Sequence, residues 1–217
     1  MRLSFTSKNA PPPPPPLPDV ILASQSAGRK MLLEKLGIRF RVAVARIDEK
    51  TITDSDPFLL VWRRAEAKTK EVVTHPRVYS LAEDRPSFII GADSMAIMGK
   101  KAFGKAPERE DARNMLKALM GKTHLFTTAV HMILWENGKV KKSWEKVVKT
   151  KVTLRKMSAV EVETYVMRFD ISRFAGAYAI NEAPWDLVTK VDGSYTNVIG
   201  LPFEVLLPAL RTIKILV

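Results

Sequence analysis

The sequence predicts an α/β domain, and three features carry that prediction. From Asp19 onward, short apolar runs alternate with amphipathic stretches of helical period, the order of strands and helices in layered α/β folds. Helix starts are marked chemically: Asp56-Pro57 sets an acid at an N-cap and a proline at the first helical position, and Ser158 with Glu161 has capping-box spacing. Two long segments joined by Asn137-Gly138 read as a hairpin with a type I′ turn.

Taken in order, Val20 to Ala23 reads as a buried strand, and Ser26 to Leu36 as a helix closed by Gly37. Phe40 to Ala45 is a second strand. The helix begun at Asp56-Pro57 runs until just before Pro76, and Phe88 to Ala92 is a third, buried strand. Ser94 to Phe103 reads as a small hairpin. Pro107 opens a helix with Glu108, Glu110 and Asp111 in its first turn, ending at Gly121. Leu125 to Trp135 and Val140 to Leu154 form the long hairpin, and a fourth helix starts at Ser158. The remainder predicts a strand, an Asp192-Gly193 turn, another strand through Ile199 and a helix from about Pro202.

Residues 1–18 stand outside this pattern. Pro11 to Pro16 is an unbroken proline run followed by Leu17 and Pro18, a proline-rich disordered or polyproline tail that could serve as a ligand for a partner module. The domain is therefore expected over residues 19–217. No apolar run approaches the roughly 20 residues that span a bilayer, so no membrane insertion is expected. The chain has no cysteine, which excludes disulfides and thiolate metal sites and points to a reducing, cytoplasmic setting. A formal charge of +12 favours polyanionic partners. The densest basic group, Lys139, Lys141 and Lys142, surrounds a turn without interleaved aromatics, so a nucleic-acid-binding module ranks well below a nucleotide site.

The first strand feeds Ser24-Gln25-Ser26-Ala27-Gly28-Arg29-Lys30 directly into a helix. In an α/β sheet this is the crevice beyond a strand's carboxyl end, where hydroxyls, free helix amides and Arg29 make an anion cradle and Gly28 lets a phosphate approach the backbone. A helix capped by Ser26 with two solvated bases explains this segment equally well. Gly91-Ala92-Asp93-Ser94 places an acid where the third strand stops, and Ile47-Asp48-Glu49 follows the second strand in the same way. Two adjacent strands would then aim carboxylates at one end of the sheet, an arrangement suited to Mg²⁺ or Mn²⁺ recruited with phosphates. Lys105, before the Pro107 helix, is a second cation near helix amides, whereas Lys68 by itself reads as a surface lysine.

Several other chemistries fail on spacing. Gly121-Lys122-Thr123 ends like a P-loop, but position 116 is Leu and the segment follows a helix. His75, His124 and His131 have no mutual metal-binding spacing, and no Gly-x-Ser-x-Gly elbow is present.

Together the segments resemble the Maf-like family of nucleoside triphosphate pyrophosphatases. The resemblance rests on Ile21-Leu22-Ala23-Ser24-Gln25-Ser26 with Arg29-Lys30, Ile47-Asp48-Glu49, Ala65 with Lys68, Gly91-Ala92-Asp93-Ser94, Gly104-Lys105, Gly121-Lys122-Thr123-His124, Ala175-Gly176-Ala177-Tyr178 and Asn197-Val198-Ile199-Gly200-Leu201-Pro202. It implies a two-lobed α/β fold, a mixed β-sheet with flanking helices and a central cleft, like that of the Maf and inosine triphosphatase proteins. It implies hydrolysis of a nucleoside triphosphate to monophosphate and pyrophosphate with a divalent metal, Mg²⁺ or Mn²⁺, and a homodimer. Asp93, Glu49, Lys68 and Lys105 match the family's catalytic positions, with Glu49 assigned to the metal and Asp93 to the metal or to activation of water. Ser24, Ser26, Gly28, Arg29, Ser94 and Asn181 match substrate-binding positions.

Three of those positions depart from the family pattern. Ala27-Gly28-Arg29 stands where the family has Pro-Arg-Arg, Ser94 where it has Thr, and Asn181 where it has Gln. In the branch acting on dTTP and UTP these positions are associated with base choice, so the resemblance carries the reaction and not the base. Gly28 in place of an arginine also leaves room for a catalytically weak nucleotide sensor.

Overall fold

The computed structural model describes residues 16–182, 184 and 186–216. Apart from Pro16, the proline run lies outside the described residues. The elements are β1 (Asp19–Leu22), α1 (Ala27–Lys35), β2 (Arg41–Val42), α2 (Pro57–Thr74), β3 (Ser87–Met98), β4 (Lys101–Phe103), α3 (Arg109–Leu119), β5 (Thr123–Glu136), β6 (Lys139–Leu154), α4 (Ala159–Arg168), β7 (Val188–Asp192), α5 (Tyr195–Ile199) and α6 (Phe203–Thr212). A single 3₁₀ turn spans Ile171–Arg173.

The sheet is curled and mixed, in the order β2-β1-β3-β5-β6-β7, with β4 paired to the far end of β3. β1 lies parallel to β2 and β3, and every other pairing is antiparallel. Helix starts follow the sequence chemistry. Asp56 caps α2 by accepting from the Phe58 N–H, with Pro57 at the first position, and Ser158 and Glu161 close a reciprocal box on α4. The α3 helix opens later than Pro107 suggests, because Glu108 takes the N-cap and exchanges bonds with Asp111.

Three expectations are corrected. The second strand shrinks to Arg41–Val42, since only these residues pair with β1. The third does not stop at Ala92: it continues to Met98, paired with β5 as far as Ile97, and the hairpin turn falls at Gly99-Lys100. The expected strand through Ile199 is the short helix α5. Ser194 caps it by accepting from the Asn197 N–H, and Gly200 ends it at φ 117°, a left-handed conformation that glycine adopts without strain.

Two apolar regions are built on opposite ends of the long strands. One gathers α1, α2, α6 and the β1 half of the sheet, around residues such as Leu22, Phe88 and Met132 on one face and Ile21, Ile89 and Val72 on the other. The other gathers α3, α4 and β4 around Ala96, Phe103, Phe126, Tyr165 and Tyr178. Between them, β3 has a gap on one side. β1 pairs with residues 87–90 of β3 and β4 with 96–98, so residues 91–95 are paired with β5 alone. The last β1 rung is the Ala23 N–H to Ile90 carbonyl bond at 2.8 Å, after which the chain leaves for α1.

The second core region contains one buried polar pair. His124 Nε2 and the Tyr178 hydroxyl lie 2.8 Å apart, and His124 Nδ1 is buried without a partner. Burial lowers the His124 pKa from 6.5 to about 4. His124 is therefore neutral in the fold while the unfolded chain takes up its proton below about pH 6.5. The unfolded state binds more protons in that window, so stability is full above pH 6.5 and falls as pH drops toward 4, by about 3 kcal/mol in total. Urea unfolding of wild type and His124→Gln at pH 7 and pH 5 checks this: the wild type should lose the extra stability at pH 5, and equal losses would remove His124 as the cause.

Candidate active site

The gap in β3 is where the charged residues converge. Strand alternation sends Asp93 to the α2 face, with Ile89, Gly91 and Met95, and Ser94 to the opposite face, with Ile90 and Ala92. A Cβ at Gly91 would lie 2.6 Å from the Ala65 carbonyl and 2.7 Å from Thr69 Cγ2, so glycine allows α2 to lie directly on the strand. That contact brings Lys68 to the gap. Its ammonium donates to Asp93 Oδ1 at 2.8 Å and to the Ala92 carbonyl at 3.0 Å, and pairs with Glu49 Oε1 at 3.0 Å. Lys68 is only 6% exposed, so it is no surface lysine.

Glu49 reaches this ammonium from an irregular segment between β2 and α2, not from a strand end. Nor are the two strands adjacent, because β1 lies between β2 and β3. The pairing of carboxylates survives on different geometry: Asp93 comes from mid-strand at the gap and Glu49 from a loop. Burial alone raises the Glu49 pKa, but Lys68, Arg64 and Lys105 outweigh it and hold the carboxyl below its ordinary range. Asp93 Oδ1 is engaged by Lys68, whereas Asp93 Oδ2 is buried with no hydrogen-bond partner among the described residues.

On the other side of the gap, Arg29 is buried and held by three groups. Nε donates to the Gly200 carbonyl at 2.8 Å, Nη1 to Ser24 Oγ at 2.9 Å and Nη2 to Ser94 Oγ at 2.9 Å. Burial pushes its guanidinium below the ordinary value, and Asp93 and Glu49 pull it back up. Ser26 caps α1: its Oγ accepts from the Arg29 N–H and its carbonyl from the Lys30 N–H. Gly28 also has a packing role. A Cβ there would lie 2.9 Å from the Ile199 carbonyl, so its bare backbone admits the end of α5.

Lys105 approaches from the second core region, where it forms an isolated bridge with Ala175. Its side chain is exposed at the rim, yet surrounding protein lowers its pKa, reinforced by Arg29 and Lys68 and opposed by Glu49 and Asp93. Arg29, Glu49, Lys68, Asp93 and Lys105 thus form one electrostatically coupled group drawn from five segments. Asn181 is half-buried and approaches α1, its Nδ2 4.0 Å from Met31 Sδ; among the described residues no hydrogen bond joins it to Ser94 or Arg29.

Three residues at the site carry roles that sequence reading did not give them. Thr128 Oγ1 lies 2.9 Å from Ser94 Oγ and donates to the Asn197 carbonyl. Asn197 is fully buried and ties α5 to β5 and β6 through the Phe126 carbonyl and Thr150 Oγ1. Arg64, one turn before Lys68 on α2, acts electrostatically on Glu49. Asn197 stood inside a recognised segment, but Thr128 becomes visible only through its register opposite Ser94.

The sequence model of one protein family, described as Maf-like protein, matches residues 19–213. The chain belongs to the Maf-like family. Among curated Maf-like relatives, it is similar to the dTTP/UTP pyrophosphatase of Geobacter sp. (strain M21), 37% identical over 194 residues, covering 89% of this chain and 95% of that protein. It is also similar to the proteins of the same name from Aquifex aeolicus (strain VF5), 33% identical over 91% of this chain and 96% of that one, and from Agathobacter rectalis, 32% identical over 92% and 99%. The Maf-like sheet, flanking helices and cleft are those the resemblance implied.

Because Lys68 is buried between two carboxylates, its replacement by Met leaves both without their cation. Breaking a buried pair in this way costs about 3–5 kcal/mol. Chemical denaturation of Lys68→Met at neutral pH should show a loss of that size; an unchanged midpoint would mean the carboxylates do not depend on Lys68.

Proposed function

We propose that this chain hydrolyses a nucleoside triphosphate between its α- and β-phosphates, releasing nucleoside monophosphate and pyrophosphate, with a Mg²⁺ or Mn²⁺ ion held by Glu49 and Asp93. In this reading it clears unwanted or modified nucleotides from the pool. The observation that carries the proposal is Asp93 Oδ2, a buried carboxylate oxygen with no hydrogen-bond partner among the described residues, inside a group of charges. A buried acceptor of this kind is costly unless something binds it, and here a water or a cation would do so. The family and the names of its relatives supply the reaction.

The donor set suits a hard divalent cation that keeps part of its coordination for phosphate and water. No group of three or more His, Asp or Glu able to hold a metal occurs among the described residues, so the protein would contribute Glu49 and Asp93 and the substrate the remainder. Charge points the same way. Arg29, Lys68 and Lys105 against Glu49 and Asp93 leave a single net positive charge, far less than a triphosphate carries. A bound divalent ion would supply the missing charge at the phosphates and polarise the bond to be broken.

Within that frame each residue has a task. With Oδ1 committed to Lys68, Asp93 has Oδ2 alone for either the ion or the attacking water; where it takes the water, it orients it and accepts its proton as the new P–O bond forms. Lys68 fixes the opposite oxygen of the same carboxylate, so Asp93 cannot swing away. Lys105 at the rim and the amides at the α1 N-terminus meet phosphate oxygens, where cations and preorganised donors lower the barrier most. Arg29 orients Ser24 and Ser94 around this position and keeps a positive field on it. Ser94 and Asn181, with Gly28 replacing an arginine, shape the part of the cleft that meets the base.

A panel of the common and modified nucleoside triphosphates, led by dTTP and UTP because relatives bear those names, tests the proposal with Mg²⁺, Mn²⁺ and chelator. Monophosphate and pyrophosphate should form in equal amounts, stop on chelation, and fall by roughly 10³-fold in Asp93→Asn. Full turnover by Asp93→Asn would overturn the role of Asp93. Turnover in chelator would overturn the metal, and tight binding without turnover would make the chain a nucleotide sensor.

A further inference from the structure

The segment that carries Glu49 has almost no structure of its own. Between the end of β2 at Val42 and the start of α2 at Pro57, its main internal feature is a turn in which the Asp48 carbonyl and carboxylate accept from Thr51 and Lys50. Its position comes from outside. The Arg46 N–H donates to the Tyr79 hydroxyl at 2.9 Å, and that hydroxyl donates to Glu71 of α2. Glu49 pairs with Lys68, the Ile52 carbonyl accepts from Arg64 Nη2 at 3.3 Å, and Asp54, largely buried, pairs with Arg63 Nε at 2.9 Å.

These tethers fall in order, residues 46, 49, 52 and 54 meeting 71, 68, 64 and 63. The segment therefore runs along α2 in the opposite direction, like a strap fastened at four points. Eight helical residues cover about 12 Å, whereas eight extended residues would cover about 26 Å. The Asp48 turn takes up the difference, which places Glu49 at a bend. At that bend the ammonium of Lys68 is already shared with Asp93 and the Ala92 carbonyl. Lys68 alone cannot fix where Glu49 sits.

We infer that Arg64 is a positioning residue that latches the 43–56 segment onto α2 and so sets where Glu49 stands relative to Asp93. Arg64 lies one turn from Lys68, on the helix surface that meets the segment, and it holds the segment's backbone three residues beyond Glu49. Its Nε is buried and, among the described residues, has no acceptor, so the inner edge of the guanidinium lies within this contact. Arg63, bonded to Asp54, secures the same end of the strap. Sequence spacing does not reveal this, because Arg63 and Arg64 read as ordinary polar positions of an amphipathic helix.

The inference rests on Glu49 belonging to the site, so its test includes a readout independent of activity. Hydrogen–deuterium exchange is followed in peptides spanning residues 43–56 of the full chain, for wild type, Arg64→Gln, Arg64→Lys and Asp54→Asn, alongside kcat, KM and the Mg²⁺ concentration for half-maximal rate. Arg64→Gln should speed exchange in this segment and leave β3 and β5 protected. It should also raise the Mg²⁺ half-saturation roughly tenfold, the scale seen when the partner that orients a ligand is lost. Arg64→Lys, which can still donate to the Ile52 carbonyl, should recover most of the protection, and Asp54→Asn should act in the same direction as Arg64→Gln. Unchanged exchange in Arg64→Gln would overturn the latch. Faster exchange with a loss of kcat that Arg64→Lys does not rescue would overturn it as well, by making the guanidinium itself a substrate contact. If Glu49→Gln proves fully active while Arg64→Gln still loosens the segment, the reading of the site fails and the latch stands.

Discussion

The ammonium of Lys68 is the point on which the site depends. One buried cation satisfies a carboxylate from mid-strand, a carboxylate from a loop and a backbone carbonyl that the sheet leaves open. A lone buried charge would be costly, and so would the buried Asp93 carboxylate without it. Gly91 makes the arrangement possible, because a Cβ there would meet the Ala65 carbonyl at 2.6 Å and force α2 to shift from β3. Packing, charge balance and the placement of Asp93 are therefore one problem with one solution.

A second constraint meets the first from the other side of the sheet. Arg29 is held by Ser24, Ser94 and Gly200, Ser94 is bonded to Thr128, and Thr128 donates to the Asn197 carbonyl, so α1, β3, β5 and α5 share a continuous polar network. Networks of this kind stabilise when fully bonded and specify a single geometry. The two clusters sit on opposite faces of β3 and meet across five residues. That explains why adjacent residues, Asp93 and Ser94, serve different neighbourhoods.

Much of this was legible in the sequence, for reasons that differ by residue. Helix starts at Asp56 and Ser158 were readable because capping is local chemistry. The site segments were readable because several short patterns occur in one order, and Lys68 was assigned through resemblance where periodicity alone gave a surface residue. What escaped was set by long-range partners. β3 runs past Asp93 because β5 accompanies it, a pairing of residues distant in sequence such as Ser94 with Thr128 and Ile97 with Leu125. Tyr195 to Ile199 has the β-branched composition of a strand, but the Ser194 cap and Gly200 terminate it as a helix. Gly28 looked like an opening for phosphate, and only the position of Ile199 shows which neighbour fills that space.

The gap in β3 has one more consequence. An uncovered strand edge is ordinarily a template on which other chains can pair, and proteins protect such edges with charge, bulges or cover. Here the edge at residues 91–95 lies behind Lys68 and Arg29, and the Ala92 carbonyl that a neighbouring strand would use is already bonded to the lysine. The charges that make the cleft suitable for an anion also keep this edge from recruiting a foreign strand. Neutralising them would expose the molecule to self-association at the same place where it loses its chemistry.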